Sequence, residues 1–294
     1  MNKPINSPFR YAGGKFYARH LILEHIRPHQ TYIEPFAGGA SIFFAKNKSK
    51  HNYLNDLDAD LVNTYLAIKD NPQTLINVLE NEQALKERHS FYKNDFKPSN
   101  NLERAQRWYY LNRTSYSGIM NMKNCYWGYG DKYSMRPENW GASILRTSQK
   151  LQGVEITNID FEVLIDSITI EQNAFLFIDP PYFNADQDKF YTCSFTIQDH
   201  IRLAEVLKRN AHKFHFLITY DNSPEIIELY QWVDTILEKE WNYTISRTDD
   251  QKKPKENEAV ITKKGERSKG KEIFLMNYET SKQMNLLELA LENS

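Results

Sequence analysis

The sequence contains little that would tie it to a metal, a disulfide or a membrane. Its 294 residues include two cysteines, Cys125 and Cys193, whose spacing matches neither CxxC nor a metal-ligand pattern. No apolar run approaches the ~20 residues that a membrane helix needs, and residues 1–6 lack the apolar core of a signal peptide. We therefore expect a cytoplasmic protein with free thiols, without a bound metal and without a membrane anchor.

The chain also lacks an excess of charge of either sign, since 37 Lys and Arg residues face 38 Asp and Glu residues. A net charge of −1 gives no general attraction to a polyanion. Contact with a nucleic acid would therefore have to come from local basic patches. The length allows one large α/β domain with a substantial insertion, or two domains.

Short segments rich in β-branched and aromatic residues alternate with helical patterns along most of the chain. Strands are predicted at 31–33, 52–54, 154–156, 174–178, 214–219 and 272–276, and helices at 41–48, 58–69, 197–210 and 225–231. This alternation favours a mostly parallel sheet covered by helices. Between residues 71 and 147 it gives way to charged helical sequence and an aromatic-rich loop region, which predicts an inserted domain.

The clearest chemical signal is Asp179-Pro180-Pro181-Tyr182, which directly follows the apolar strand at 174–178. Two prolines stiffen this turn and hold a carboxylate, a carbonyl and an aromatic ring in a set relation. Asp179 and the Pro180 carbonyl can accept both hydrogens of an exocyclic amino group, while Tyr182 can stack on a flat ring. Taken alone, the four residues fit an ordinary strand-ending turn equally well.

A second signal follows the first strand, where residues 34–41 read Glu-Pro-Phe-Ala-Gly-Gly-Ala-Ser. Paired glycines let the backbone approach a ligand at a helix N-terminus, but the pattern is neither GxGxxG nor a Walker loop. We therefore expect a ligand that is not held through a diphosphate. Glu34 suits an amino group, and Asp56, just after the second strand, is placed for ribose hydroxyls. A zwitterion joined to a nucleoside fits both ends.

Two further segments extend this edge of the predicted sheet. Residues 9–15 contain a Gly13-Gly14 pair and end in Lys15, whose cation suits a ligand carboxylate or a phosphate. Asp160 follows the strand at 154–156 and can accept from an adenine amino group. Capping the next helix is the more common role of an isolated aspartate at such a place.

In this order, the segments resemble those of the Dam-type DNA adenine N6-methyltransferases. The similar segments are residues 10–15, 34–39, 55–56, 160–161, 179–182, 219–223 and 271–278, so the resemblance spans nearly the whole chain. It implies a Rossmann-like methyltransferase domain with a mixed sheet, at residues 1–70 and 148–294, and an inserted, mostly helical target-recognition domain at 71–147. It also implies S-adenosylmethionine as the methyl donor and double-stranded DNA as the substrate.

The resemblance implies roles for individual residues. Those expected to hold a flipped target adenine are Asp179, Pro180, Pro181 and Tyr182. Those expected to line the donor pocket are Tyr11, Ala12, Gly13, Lys15, Glu34, Pro35, Phe36, Ala37, Gly38, Gly39, Asp56, Asp160, Phe161 and Asp179. Accepting the amino hydrogens would localise the lone pair of the adenine nitrogen for direct displacement, and this chemistry needs no metal.

Cations alternate with aromatic residues in the inserted region, as a module that reads duplex DNA requires. The DNA contacts that we predict there are Arg113, Ser115, Tyr116, Asn121, Lys123 and Arg136, with Arg113 as the first choice. Relatives that read GATC commonly continue Asn-Gly-Leu-x-Arg-x-Asn, whereas residues 117–123 read Ser-Gly-Ile-Met-Asn-Met-Lys. Asn121 replaces the expected arginine, so the resemblance does not extend to a GATC target. The basic segment 247–271 is most simply a solvated loop.

Other functions fit part of the pattern. Methylation of cytosine N4 poses the same chemical problem, and Asp rather than Ser at position 179 favours adenine by family association only. A catalytically silent DNA-binding protein could retain the same fold, and methylation of RNA or protein is a further alternative. We also expect a monomer, and a cognate restriction endonuclease is a candidate partner.

Overall fold

The computed structural model describes residues 3–11, 13–130, 132, 134–186, 192–242 and 269–280. Ala12, expected in the donor pocket, and residues 247–268 of the basic segment lie outside these ranges. In the ranges that are described, no helix combines the length and the apolar character needed to cross a bilayer.

Seven strands form one sheet in the described residues, in the order β3-β2-β1-β4-β5-β7-β6. The strands are β1 (Thr31–Glu34), β2 (His51–Asn55), β3 (Val154–Thr157), β4 (Ala174–Ile178), β5 (Phe214–Asp221), β6 (Thr235–Asn242) and β7 (Lys269–Met276). The first five are parallel, and β7 runs antiparallel between β5 and β6. The predicted α/β fold with a mixed sheet is confirmed; only β6 is not among the predicted strands.

The two central strands explain where a ligand can bind. Every residue of β1 and β4 is buried, as expected for parallel strands covered on both faces by helices. From β1 the strand order continues to β2 and β3 on one side and to β4 and β5 on the other. In open α/β sheets the crevice at such a reversal lies outside the carboxyl ends of the strands and is the usual ligand site.

Ten α-helices surround the sheet in the part of the chain that is described. They are α1 (Arg19–Leu23), α2 (Ser41–Ala45), α3 (Ala59–Asp70), α4 (Pro72–Leu79), α5 (Lys86–Ser90), α6 (Asn101–Thr114), α7 (Trp140–Leu151), α8 (Phe161–Asp166), α9 (Ile197–Asn210) and α10 (Pro224–Leu229). Several begin at side-chain caps. Asp58 accepts from Asp60 and Leu61 N–H at α3, and Thr196 forms a capping box with Asp199 at α9.

The insertion lies between β2 and β3 and is mostly helical, with α4 to α7 and a π-helical turn at Phe91–Asp95. Aromatic residues of α6 are buried in one core with residues of α3, β1 and β4, so the insertion packs directly on the helices of the sheet domain. The helix α7 crosses the predicted boundary at residue 147. The division into a domain at 71–147 and a domain formed by the rest of the chain stays a proposal.

Candidate active site

A cavity of about 340 Å³ opens at the carboxyl ends of β1, β2 and β4. It is lined by every residue expected to bind the donor that the structure describes, namely Tyr11, Gly13, Lys15, Glu34, Pro35, Phe36, Ala37, Gly38, Gly39, Asp56, Asp160, Phe161 and Asp179. Pro180, Pro181 and Tyr182 line it as well. The structure therefore brings residues that are 171 positions apart in sequence, Tyr11 and Tyr182, to one cavity.

The glycine-rich turn after β1 packs closely against Tyr11. Gly38 has φ +47°, and a Cβ atom there would lie 2.9 Å from Tyr11 Cε1. A Cβ at Gly39 would lie 3.1 Å from Tyr11 Cβ. Only glycine allows both the left-handed backbone and this approach, which makes Tyr11 a wall of the cavity beside the turn.

Asp56 ties this turn to the end of β2. Its Oδ2 accepts from Gly38 N at 2.8 Å, and its Oδ1 accepts from Asp58 N at 2.9 Å. Burial raises the pKa of Asp56 to about 6. A hydrogen bond from the Leu57 backbone acts in the opposite direction on this pKa. Asp56 lines the cavity, and a carboxylate oxygen can accept more than one hydrogen bond, so the residue can still accept from hydroxyl groups there.

Glu34 is a buried carboxyl group at the end of β1. Its Oε1 accepts from the Tyr32 hydroxyl at 2.8 Å and from Phe43 N at 2.7 Å. No donor among the described residues reaches its Oε2, although Glu34 lines the cavity. Burial raises the pKa of Glu34 to about 8. A buried carboxyl group with an open oxygen suits an incoming cation.

Three aromatic rings form the wall next to Asp160. The ring of Phe36 lies 5.4 Å from that of Phe161 and 5.6 Å from that of Phe195. Asp160 also caps α8, because its Oδ1 accepts from Glu162 N at 2.9 Å. Asp160 is therefore a helix cap that also lines the cavity, and its contact with an adenine amino group stays a prediction. The three rings offer a slot for a flat, apolar-faced group such as a purine.

Asp179 is already engaged by two side chains. The Thr219 hydroxyl donates to its Oδ1 at 2.7 Å. The Lys15 ammonium lies 2.7 Å from Oδ1 and 2.9 Å from Oδ2, and it also donates to the Gly13 carbonyl at 2.9 Å. Lys15 is only 4% exposed. The sequence predicted this ammonium against a ligand carboxylate or phosphate; in this structure it pairs with Asp179.

Tyr182 lies beside this ion pair. The Lys15 Nζ atom is 4.8 Å from the centroid of the Tyr182 ring, a distance at which the cation attracts the ring face. The ring also lies 6.0 Å from that of Tyr220, and its hydroxyl donates to Glu272. The aromatic ring predicted to stack on a base is thus held at both its face and its hydroxyl.

The structure does not place all of the predicted DNA contacts on the surface. Arg113 is 5% exposed; its Nη1 donates to the Pro8 carbonyl at 3.1 Å, while its buried Nε has no partner among the described residues. Ser115 is buried, with its Oγ 2.9 Å from the Cys125 Sγ. Burial of both side chains is inconsistent with the predicted direct contact, because the last turn of α6 faces its own chain. We therefore reassign Arg113 to a supporting role.

The other four residues lie nearer to solvent. Lys123 and Arg136 are exposed, whereas Tyr116 and Asn121 are half-buried. Near Lys123 the structure exposes Tyr126, 60% accessible, and the Lys93 Nζ atom lies 4.9 Å from its ring centroid. We call residues 116–127 the outer turn of the insertion. Its exposed residues are Met122, Lys123 and Tyr126.

The insertion also contacts residues 8–11, which lead into the cavity. Asn112 Nδ2 donates to the Arg10 carbonyl at 2.7 Å, and Arg10 N donates to Asn112 Oδ1 at 3.1 Å. Gly118 has φ +70°, and a Cβ there would lie 2.2 Å from the Arg10 carbonyl oxygen. We call residues 8–11 the strap, because they are held by α6 and the outer turn at one end and reach the cavity through Tyr11 at the other.

Some site residues were not predicted. Phe195 and Cys193 line the cavity through packing between distant elements, without a local motif. Thr219 lies in the segment 219–223 that resembles the family, but no role was predicted for it; in the structure it donates to Asp179. Among the described residues, no group of three or more His, Cys, Asp or Glu side chains is arranged to hold a metal ion.

A mixed seven-stranded sheet with one antiparallel strand next to its edge, and a cavity at the reversal of strand order, is the architecture of a Rossmann-like methyltransferase. The family model of the D12 class N6 adenine-specific DNA methyltransferases matches residues 11–245, and the chain belongs to this family. It is therefore an adenine-specific DNA methyltransferase that acts on N6. Methyltransferases of this kind use S-adenosylmethionine as the methyl donor.

Methyltransferases from a virus and from bacteria are similar to this chain over most of its length. The type II methyltransferase M.CviBI of Paramecium bursaria Chlorella virus NC1A is 28% identical over 260 residues, which cover 83% of this chain and 92% of that protein. The type II methyltransferase M1.LlaDCHI of Lactococcus lactis subsp. cremoris is 28% identical over 254 residues, 78% of this chain and 86% of that protein. The DNA adenine methylase of Escherichia coli K12 is 25% identical over 246 residues, 79% and 82% respectively.

Proposed function

We propose that this chain binds S-adenosylmethionine in the cavity and holds a flipped adenine of duplex DNA against it with the loop at residues 179–182. The observation that carries this proposal is the convergence, around one cavity, of a buried carboxyl group, a second acid, an aromatic slot and Asp179. The two acids and the aromatic slot suit a nucleoside joined to a zwitterion, and Asp179 suits the amino group that reacts.

The residues fit the donor group by group. The open Oε2 of Glu34 suits the ammonium of the amino-acid part, and Asp56 suits the ribose hydroxyls. Phe36, Phe161 and Phe195 suit the adenine ring; Asp160, whose Oδ2 takes no donor within the described residues, suits its amino group. When bound, S-adenosylmethionine supplies a methyl group on a positively charged sulfonium, which is a good leaving group.

Asp179 and Pro180 would activate the target base. An adenine amino nitrogen is a poor nucleophile because its lone pair is conjugated with the ring. The Asp179 carboxylate and the Pro180 carbonyl, which accepts from no described donor, can accept the two amino hydrogens and localise that lone pair. The protein thereby contributes position and electrostatics.

Lys15 adds an ordering element to this scheme. Its ammonium contacts both oxygens of Asp179, so the carboxylate is already satisfied in this structure. The carboxylate of the donor's amino-acid part offers the ammonium an alternative partner, as predicted from the sequence. We propose that Lys15 turns toward that carboxylate, which leaves Asp179 to the adenine. On this scheme donor binding precedes productive binding of the base.

The outer turn would face DNA. Lys123 of the outer turn and Arg136, which follows that turn in the chain, present exposed cations for phosphates. Tyr116 and Asn121 are half-buried residues of the same turn as Lys123. The target amino group is enclosed in paired duplex, so the base must be extruded at a cost of a few kcal/mol. We propose residues 71–147 as the recognition domain. We also propose that the protein acts as a monomer in the cytoplasm, with a cognate restriction endonuclease as a candidate partner, since two relatives bear type II names.

The test is incubation of the purified protein with S-adenosylmethionine and unmethylated genomic DNA, followed by single-molecule sequencing of modified bases. N6-methyladenine at one short motif is the expected result, and it would also reveal the recognised site. N4-methylcytosine would move the assignment to the other exocyclic amine. Intact duplex binding with no modified base would instead identify a catalytically silent DNA-binding protein.

A further inference from the structure

The loop that carries Tyr182 rests on two acidic residues of the neighbouring strands. Asp221 of β5 and Glu272 of β7 stand directly opposite each other in the antiparallel pair. Side chains at opposite positions of such a pair project to the same face, with Cβ atoms ~5 Å apart, and like charges there are destabilising. Some other interaction must offset this arrangement.

The two carboxylates contact three consecutive residues of the loop. The Tyr182 hydroxyl donates to Glu272 Oε2. Phe183 N donates to Asp221 Oδ1 at 2.9 Å, and Asn184 Nδ2 donates to Asp221 Oδ2 at 2.8 Å. One acid therefore holds the ring through its hydroxyl, and the other holds the backbone immediately after it.

Glu272 is a buried acid in an otherwise apolar part of β7. Its side chain is 1% exposed, whereas Ile273 to Met276, which follow it on β7, are apolar and equally buried. A buried carboxylate is unfavourable unless hydrogen bonds satisfy it. An apolar residue could not accept from the Tyr182 hydroxyl, so an acid at this position gives β7 a direct contact with the loop.

We propose that Glu272 and Asp221 form a positioning clamp that fixes the Tyr182 ring as a platform for the flipped adenine. Thr219, two residues before Asp221 on β5, donates to Asp179, so one edge of the sheet orients both the acceptor of the amino group and the ring. The clamp acts through Tyr182 and touches neither donor nor base. This inference rests on the proposed function of the loop at residues 179–182.

The experiment compares Glu272→Leu with Glu272→Gln, which retains an acceptor for the hydroxyl. The measured quantities are kcat, KM for DNA, the Kd of S-adenosylhomocysteine, Tm, and the fluorescence of a duplex with 2-aminopurine at the target position. We expect Glu272→Leu to lower kcat about 10-fold, to weaken the 2-aminopurine signal, and to leave donor affinity and Tm unchanged. Glu272→Gln should recover most of the loss. The matched control is Glu238→Leu, an exposed acid of the adjacent strand β6.

Tyr182→Phe distinguishes positioning from a general structural role. This variant keeps the ring but removes the hydroxyl, so Glu272→Leu should have no further effect on kcat or on 2-aminopurine fluorescence in that background. Additive losses would overturn the clamp, as would a fall in Tm and donor affinity that matches the loss of kcat. Wild-type protein that transfers no methyl group would overturn the proposed function instead, and the fluorescence cycle would still test the clamp.

Discussion

The cavity at the edge of the sheet and the outer turn of the insertion both hold charged residues, but they use them in opposite ways. In the cavity, charges are engaged by partners from within the protein: Lys15 pairs with Asp179, and Asp56 accepts from the Gly38 amide. On the outer turn, Lys123 is exposed to solvent. A preorganised site suits a small ligand of fixed shape, whereas exposed cations suit a phosphate backbone.

Four arginines of the insertion helices have partners within the protein, as the charged residues of the cavity do. Arg88 forms an ion pair with Glu82, Arg104 pairs with Asp60, and Arg107 donates to the Tyr92 carbonyl. Arg113 likewise donates to the Pro8 carbonyl. These four arginines therefore support the fold. The described cations of the insertion that remain exposed, and so suit phosphates, are Lys86, Lys97, Lys123, Lys132, Arg136 and Arg146. The two regions are joined by the strap, so binding at one can influence the other.

The largest expected effect in the comparison of the cavity with the outer turn is at Asp179. The variant Asp179→Ala removes the acceptor for the adenine amino group, and we expect methyl transfer to fall by about 10³-fold or more. Binding of S-adenosylhomocysteine, followed by calorimetry, should remain detectable. The matched control is Asp186→Ala, which removes an exposed acid from the same loop region. Full activity in Asp179→Ala would rule out the proposed activation of the base.

The link between the two regions is tested by Gly118→Ala. The new Cβ would lie 2.2 Å from the Arg10 carbonyl oxygen, at a φ of +70°. We expect the free energy of unfolding to fall by at least about 2 kcal/mol, and donor affinity to fall because the strap must move. In Gly130→Ala, where no described atom lies within 4 Å of the new Cβ, both quantities should stay unchanged. Equal behaviour of the two variants would remove the strap as a connection.

The different use of cations is tested by Arg113→Ala against Lys123→Ala. Loss of the buried Arg113 should lower the free energy of unfolding by about 2 kcal/mol and weaken donor binding through the strap. Loss of the exposed Lys123 should leave Tm unchanged, weaken DNA binding, and reduce the slope of log K against log salt by about 1. Thermal unfolding and titrations at several salt concentrations measure both. The reverse assignment would restore Arg113 as a DNA contact.

Much of the fold and the cavity could be predicted because a residue that follows a parallel strand must lie at the carboxyl edge of the sheet. Glu34, Asp56 and Asp179 each lie at or just after the end of a strand, and the carboxyl ends of parallel strands meet at one edge of the sheet. Residue type and location were therefore available together, and the structure places these acids around one cavity.

For the insertion, the sequence could predict a DNA-reading role from its composition, but not the direction in which its side chains point. Alternating cations and aromatics indicate what a region does, but the orientation of Arg113 depends on its contact with Pro8, 105 residues earlier in the chain. Phe195 reaches the site in the same way, through packing of elements that no local pattern connects. Glu272 lies in the segment 271–278 that resembles the family, but its contact with Tyr182 depends on the packing of β7 against the loop. The sequence could likewise not show that Lys15 pairs with Asp179, because that contact forms between two predicted site segments.

The last test of the comparison concerns the proton on Glu34. Burial raises its pKa from 4.5 to about 8, with a smaller contribution from the charge of Asp179; the Tyr32 hydroxyl, the Phe43 amide and the Lys46 ammonium act in the opposite direction. The unfolded chain releases this proton near its ordinary pKa, whereas the folded chain retains it to about pH 8. Folding therefore takes up a proton within this range, and the free energy of unfolding should fall as the pH rises through it.

Glu34→Gln mimics the protonated group and separates this effect from the rest of the protein. Relative to the wild type, the variant should gain stability as the pH rises toward about 8, and the difference should level off above that pH. If the donor ammonium binds at Glu34, it favours the carboxylate, so binding of S-adenosylhomocysteine at neutral pH should release a proton in the wild type and not in Glu34→Gln. Calorimetry in buffers of different ionisation enthalpy measures that release. Equal release by both proteins would place the ammonium elsewhere in the cavity, and the buried carboxyl group at the end of β1 would then serve the fold alone.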